Sequence, residues 1–355
     1  MFNATKVSIA LFGLVGFRNP IDPAYAIVDT ANQTSRSGRF VNDNPIAKVE
    51  YIKQTQDYAN ATNDDFNTFL TNLQKRSIIE VMDAVMSQDD YIDRQRLYHY
   101  PSRKKTVETL QSGSFVGYEI EMDRCEPNVA FEISRVFLEF EGSGTVTLVL
   151  FNTAINTPIY TKTVTISSNN QVEPLNWRVD GTGNDQGGTY YFGYFTTGVT
   201  VQPVSRQNFD RANSMAYVTH LEVEPIEVLG VTGTSLFDID DVDNTDKCHG
   251  LNPDFAVFND YTDLIIRHEA LFANAIQLQT VINATQEYVS SSRSNRSQRI
   301  SEDQLNFTIA QLEGVEGRIT GLIPTLKKEV FSLRKQIDKL ISSMFSTGFE
   351  LNTLS

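Results

Sequence analysis

Cysteine is nearly missing from this chain: Cys125 and Cys248 are the only two in 355 residues. Thiols so far apart in sequence give neither a disulfide framework nor the paired spacing of a zinc site, and a cytoplasmic place of assembly is the simplest expectation. Histidine is scarce too. His99, His220, His249 and His268 stand singly, and Cys248-His249 has no second Cys or His pair to complete a zinc set. His268 falls in the apolar row Leu264–Leu271 and reads as a helix histidine. Basic residues are outnumbered, 30 against 44 acidic ones, for a net charge of −14. That balance excludes a general nucleic-acid binder. Tryptophan occurs once, as Trp177.

The run Val7–Phe17 has eleven residues, too few to cross a bilayer, so no membrane partner is expected. With Lys6 before it and Ala24-Tyr25-Ala26 after it, the run imitates a signal peptide. Arg18 and Asp22 interrupt the approach to that cleavage site, so the run reads instead as a buried or partner-facing anchor. Catalytic signatures are missing as well: there is no G-x-S-x-G, Walker loop, H-E-x-x-H or dinucleotide fingerprint. No carboxylate pair stands out for glycoside cleavage. The expectation is a non-enzyme with no catalytic residue, no cofactor and no metal.

What is present is a long apolar row near the C-terminal end. In steps of four and three it reads Leu305, Ile309, Leu312, Glu316, Ile319, Ile323, Leu326, Val330, Leu333, Ile337, Leu340, Met344. Leu dominates one half of the row and β-branched residues the other, the pattern of helices packing along a narrow seam. Gly314, Gly317, Gly321 and Pro324 break it, because glycine costs a helix interior about 1 kcal/mol and proline about 3. The spacing predicts a helix over Glu302–Glu313, a loop, and a second helix over Pro324–Met344, with Pro324 tolerated in its first turn. Both helices packing inside their own subunit and an intersubunit seam through Leu326, Val330, Leu333, Ile337 and Leu340 remain open.

The rest of the chain is predicted as α+β and multidomain: a helical body with an inserted antiparallel β-sandwich or jelly roll, ending in helices of hairpin or coiled-coil type. Residues 1–45 carry Asn19-Pro20, Asp22-Pro23, Gly38 and Asn44-Pro45 and read as an extended arm. Its Ser35-Arg36-Ser37-Gly38-Arg39 stretch is an exposed loop or a contact to an acidic neighbour. Residues 46–112 read as helical, with faces built by Phe66, Phe69, Leu70 and Leu73, then Ile78, Val81, Met82 and Val85, and a third short helix over Asp89–Leu97. From 113 to 228 the period becomes two. Strands are expected at Phe115–Met122, Val129–Phe140, Thr145–Phe151, Ile159–Ile166, Leu175–Val179, Tyr190–Thr196, Val199–Pro203 and Tyr217–Val223, with Glu141-Gly142-Ser143-Gly144 as a hairpin turn. Residues 229–259 read as an acidic irregular linker, and 260–355 as long helices bearing the seam. The polar run Ser290–Arg299 separates the first of these from the row above.

Leu221–Asp263 holds eleven acidic residues against Lys247, a net of −10. Within it Asp238, Asp240, Asp241, Asp243 and Asp246 alternate as calcium ligands can, yet the EF-hand pattern fails. Begun at Asp238, its fifth and sixth positions are Val242 and Asp243; begun at Asp241, its sixth is Asp246. A solvated loop, or a contact to basic residues of a neighbour such as Arg293, Arg296 and Arg299, is the expectation. Trp177 and Tyr191 offer an aromatic platform for a glycan, set against core packing of a tryptophan in the middle of a strand.

Several stretches together resemble virion structural proteins of tailed double-stranded DNA bacteriophages, of the kind that infect Bacteroidetes. They are Leu11-Phe12-Gly13-Leu14-Val15-Gly16-Phe17-Arg18-Asn19-Pro20, Ser35-Arg36-Ser37-Gly38, Ser235-Leu236-Phe237-Asp238, Gly250-Leu251-Asn252-Pro253-Asp254 and Ser292-Arg293-Ser294-Asn295-Arg296. The resemblance implies a non-enzymatic subunit of the virion, assembled in the host cytoplasm: a homo-oligomeric ring or adaptor in the neck or tail. Its partners would be copies of itself, portal, neck or tail proteins, and genomic DNA passing through without specific binding. The acids at 238–246 would then face the DNA channel or pair with a neighbour's arginines. The alternative is a capsid or tail decoration protein whose β-sandwich binds host glycan.

Overall fold

The computed structural model describes residues 1–56, 66–86, 91–97, 105–122, 129–179, 188–206, 220–231, 233–245, 247–290, 302–316 and 318–346. The chain is mixed helix and antiparallel sheet, and it divides into two compact units. One spans Asp89–Tyr261 together with Met1; the other is made of Phe2–Gln88 and Thr262–Ser355.

The first unit is built from strands β1 (Tyr91–Arg96), β2 (Lys105–Val107), β3 (Ser114–Met122), β4 (Val129–Leu138), β5 (Phe140–Glu141), β6 (Gly144–Asn152), β7 (Tyr160–Ile166), β8 (Gln171–Val179), β9 (Thr189–Phe195), β10 (Gln202–Arg206), β11 (Leu221–Leu229), β12 (Asp243–Asn244) and β13 (Leu251–Asn259). A six-stranded sheet runs β12-β11-β3-β9-β6-β7 and a four-stranded sheet β1-β13-β4-β8; a small third sheet runs β2-β10-β5. Among the described residues every strand pair is antiparallel. Alternation along the strands turns one face of each large sheet inward. Val116, Tyr118, Leu148, Leu150, Phe192 and Tyr194 from the first meet Phe131, Ile133, Val136, Trp177, Phe255 and Val257 from the second in one buried cluster. At about 25 cal/mol per Å² of apolar surface, this shared core is the main stabilising feature of the unit.

Three sequence expectations change here. Asp89–Leu97 is not a helix, because Tyr91–Arg96 pairs with β13 as an edge strand. Residues 229–259 are not an irregular linker: β13 sits between β1 and β4, and its Phe255–Phe258 run is buried. A strand covered on both faces reads as a short continuous apolar run and loses the alternation that marks half-buried strands. The β unit therefore reaches from β1 to β13 rather than from 113 to 228, and the helical part of 46–112 ends with Val85.

The second unit holds α1 (Ala4–Leu11), α2 (Thr30–Gln33), α3 (Val49–Gln56), α4 (Phe66–Val85), α5 (Thr262–Arg267), α6 (Ala273–Ser290), α7 (Glu302–Glu313) and α8 (Leu322–Ser346). The N-terminal 45 residues are less an extended arm than part of this unit. Asn3 caps α1 by accepting from the Lys6 N–H at 3.0 Å, and Val7, Leu11, Leu14, Val15 and Phe17 are buried. The apolar run Val7–Phe17 thus packs inside its own chain. Arginine contacts do the rest: Arg36 donates to the carbonyls of Ala10 and Phe12 at the end of α1 and pairs with Glu269, and Arg39 donates to Asn274 and Gln277 at the start of α6. The acidic neighbour of the Arg36 patch is Glu269 of the same chain. Helices α4 and α6 meet through a polar contact in which Asn283 donates to Ser77 and Glu80, and Gln279 donates to Glu80 at 2.8 Å. The α7–α8 turn is tight. A Cβ on Gly321 would lie 2.3 Å from the Gly314 nitrogen, and Gly314 has φ +91. Glycine alone allows both.

Candidate functional site

The acids sit on a pinned loop. Phe237 packs against Phe115 and Tyr191, with ring centroids 4.8 and 5.0 Å away, on the outer face of the six-stranded sheet. Phe115, Val149, Phe151, Ile226 and Val228 complete that second apolar cluster. Leu236 N–H donates to the Asn156 carbonyl at 3.0 Å, and Val231 N–H to that of Gly113 at 2.8 Å. The loop then makes one 3-10 turn over Ile239–Asp241, capped by the Asp238 carboxylate, which accepts from Asp240 N–H at 3.1 Å. Asp238, Asp240, Asp241 and Asp243 all project into solvent. Asp246, like Arg293, Arg296 and Arg299, lies outside the described residues.

Tyr191 and Trp177 are not an exposed platform. Tyr191 is 0 % exposed and Trp177 5 %, the latter stacked on Tyr160 with centroids 5.5 Å apart and edge-on to Phe192. Both rings serve the core, so the expected glycan contact through them is corrected. Tyr191 donates to Glu119 at 3.1 Å. Burial, then the neighbouring Glu119, pushes the Tyr191 hydroxyl far above its ordinary range. Burial also raises the Glu119 carboxyl, and Glu121 and Glu224 add to the rise, while the bond from Tyr191 opposes it. Elsewhere in the core, Tyr194 donates to the His249 carbonyl at 3.0 Å, and burial drives its hydroxyl well above the usual value, with Glu108 and Cys248 contributing. The His249 ring is 2 % exposed, its Nδ1 3.4 Å from Glu108. It has no access to a substrate in solution.

A feature no motif announced lies on the opposite side of the unit, on the outer face of the four-stranded sheet. A groove of about 640 Å³ is lined by Arg94, Gln95, Arg96, Ser134, Arg135, Pro174, Asn176, Asp254 and Phe255. Its making is local. The β4–β13 and β4–β8 ladders shift register beside Ser134 and Arg135, so that Ile133 and Val136 both face the core while the two residues between them turn outward. That is what a bulge does to a strand. Asn176 opposite has φ +53, a conformation asparagine tolerates better than most residues. Arg96 and Arg135 each donate through Nε to one oxygen of Asp254, at 3.0 and 2.6 Å, and Arg96 lies 3.4 Å from the Phe137 ring centroid. Arg94 lies 4.3 Å over the Tyr91 ring. Among the described residues no ion pair is made by Arg94, and no hydrogen bond by the terminal nitrogens of Arg96 and Arg135. Three guanidinium groups against one carboxylate leave an excess of positive charge in a chain of net −14.

The seam residues divide. Leu333 and Ile337 are 2 % exposed each, packed within the helical unit, and Arg334 Nε donates to the Ala84 carbonyl at 2.7 Å. Leu326, Val330 and Leu340 are half-buried, and Phe331, one position round the helix, is 61 % exposed. Among the described residues no group of three or more His, Cys, Asp or Glu is placed to hold a metal, and no helix is long and apolar enough to cross a membrane. Comparison of the chain with protein-family models, curated proteins and solved structures gives no match.

Proposed function

We propose that this chain is a non-enzymatic structural subunit of a tailed-phage virion that assembles with copies of itself, as a ring or adaptor of the neck or tail. The observation that carries the reading is the state of α8. Its central seam residues Leu333 and Ile337 are used within the chain, while Phe331 is exposed and Leu326, Val330 and Leu340 are covered only in part along the same helix. Partial cover of this kind along a 25-residue helix suits repeated side-by-side packing. The strand order adds support. Sheets β1-β13-β4-β8 and β3-β9-β6-β7, with β11 and β12 added at the β3 edge, follow the order of a jelly roll, an architecture used by viral capsid and lectin domains. The buried state of Trp177 and Tyr191 takes the aromatic platform from the glycan-binding alternative. In the ring, the exposed acids of the 238–243 turn would either repel DNA passing through or meet cations of a neighbouring copy.

Mass photometry and negative-stain microscopy of the purified chain test this reading. Closed rings of one size are expected. A monodisperse monomer at every concentration would overturn it.

A further inference from the structure

The acidic loop and the arginine groove belong to one unit but to opposite outer faces of it. The loop is seated on the six-stranded sheet through Phe237, and the groove is cut into the four-stranded sheet beside Arg135. The two sheets share their inner faces, so loop and groove point away from each other and the loop cannot enter the groove of its own copy. We propose that the Asp238–Asp243 turn of one copy docks into the Arg94–Arg96–Arg135 groove of the next. The inference rests on the self-assembly reading above and names its contact.

Several observations select this occupant. The charges are complementary, four exposed carboxylates against a net positive groove. The groove, at about 640 Å³, is of the size that takes a short turn and not only a single ion. Asp254 holds Arg96 and Arg135 through their Nε atoms, which leaves the terminal nitrogens of two oriented guanidinium forks for incoming carboxylates. Asn176 adds a neutral amide to the lining. The turn is also held in shape before it binds, by Phe237 beneath it and by the Asp238 cap, so little conformational entropy is lost on docking. A contact between two different patches on opposite faces is heterologous, and its repetition gives a closed ring where the rotation between copies closes and an open filament where it does not.

Charge reversal in both partners tests the contact. Arg94→Glu alters a groove residue that makes no ion pair, and Asp240→Lys with Asp241→Lys alters carboxylates that cap nothing. Each variant, checked for an unchanged melting temperature, is expected to raise the apparent dissociation constant of self-assembly by about tenfold or more in dilute salt. Mixing the two variants is expected to restore assembly, since each Lys turn then meets a Glu groove and each acidic turn an intact one. If the wild type assembles and neither reversal moves its mass distribution, this contact is overturned while self-assembly stands. A wild type that never assembles removes both. Phosphate or an acidic sugar binding the groove, with assembly untouched by the loop variant, would overturn the proposal and reassign the groove to a free anion. Should Arg94→Glu fail to fold, the wholly exposed Asp240→Lys, Asp241→Lys pair decides alone.

Discussion

The ring of Phe237 lies 4.8 Å from that of Phe115, and this contact holds an acidic loop on the outer face of the six-stranded sheet. Phe237 is 8 % exposed. Replacing it with Ala removes most of a buried aromatic side chain, at a cost of about 3 kcal/mol. Urea unfolding should show that loss, and hydrogen exchange at Val231 and Leu236 should accelerate beyond the change in global stability. Equal protection in variant and wild type would mean that the loop is held by its backbone bonds alone.

Gly117 and Gly193 face each other across β3 and β9. A Cβ on Gly193 would lie 2.1 Å from the Val116 carbonyl oxygen and 2.9 Å from the Phe115 ring. Backbone cannot yield as a side chain can. Gly193→Ala should therefore fall at or above the upper end of the about 1–3 kcal/mol typical of overpacking. A melting temperature within a degree or so of wild type would contradict the close approach of the two strands.

Glu119 gives a pH signature. Its carboxyl titrates above the ordinary range in the folded chain, so the folded state holds the proton more tightly than the unfolded state. Stability from this group therefore falls as pH rises from the ordinary carboxylate value through the raised one, and the full cost persists above it. Glu119→Gln keeps an acceptor for Tyr191 and removes the charge. Its melting temperature should exceed that of wild type near about pH 7 and approach it near about pH 4. A gap that does not change with pH would show that the carboxylate is not the cause.

The two kinds of residue on α8 should respond differently. Leu333→Ala should destabilise the monomer by about 2–5 kcal/mol, as buried leucines do. Phe331→Ser, at an exposed position, should leave the melting temperature nearly unchanged and shift the mass distribution toward smaller species. A Phe331→Ser chain that assembles like wild type would exclude this part of the helix from the contact.

Much of the fold could be read from residue order. Glu302–Glu313 was bounded by Gly314 at its end, and the period of two between 115 and 195 marked β3, β4, β6, β7 and β9. β1 could not be read that way: Tyr-Ile-Asp-Arg-Gln-Arg has no apolar alternation, because its outer face carries charge and its place in the sheet comes from β13, far along the chain. The groove was hidden for the same reason. Arg94, Arg135, Asn176 and Asp254 meet only through sheet order and one bulge, and no local spacing encodes that. The acidic cluster was legible as charge, but its anchor was not. Phe237 looks like a lone apolar residue in a loop until the sheet face beneath it is known.

The bonds from Asn283 to Ser77 and Glu80 have a consequence for how α4 and α6 find each other. Two helices joined only by aliphatic contacts can slide by a turn, about 5.4 Å, with little penalty. Here a one-turn slip would take the buried Asn283 amide off Ser77 and leave Glu80 at most one of the two amides, Gln279 and Asn283, that now donate to it. The contact adds little to the depth of the native well, but it raises the competing alignments, much as a single polar pair keeps a zipper from closing one tooth out of step.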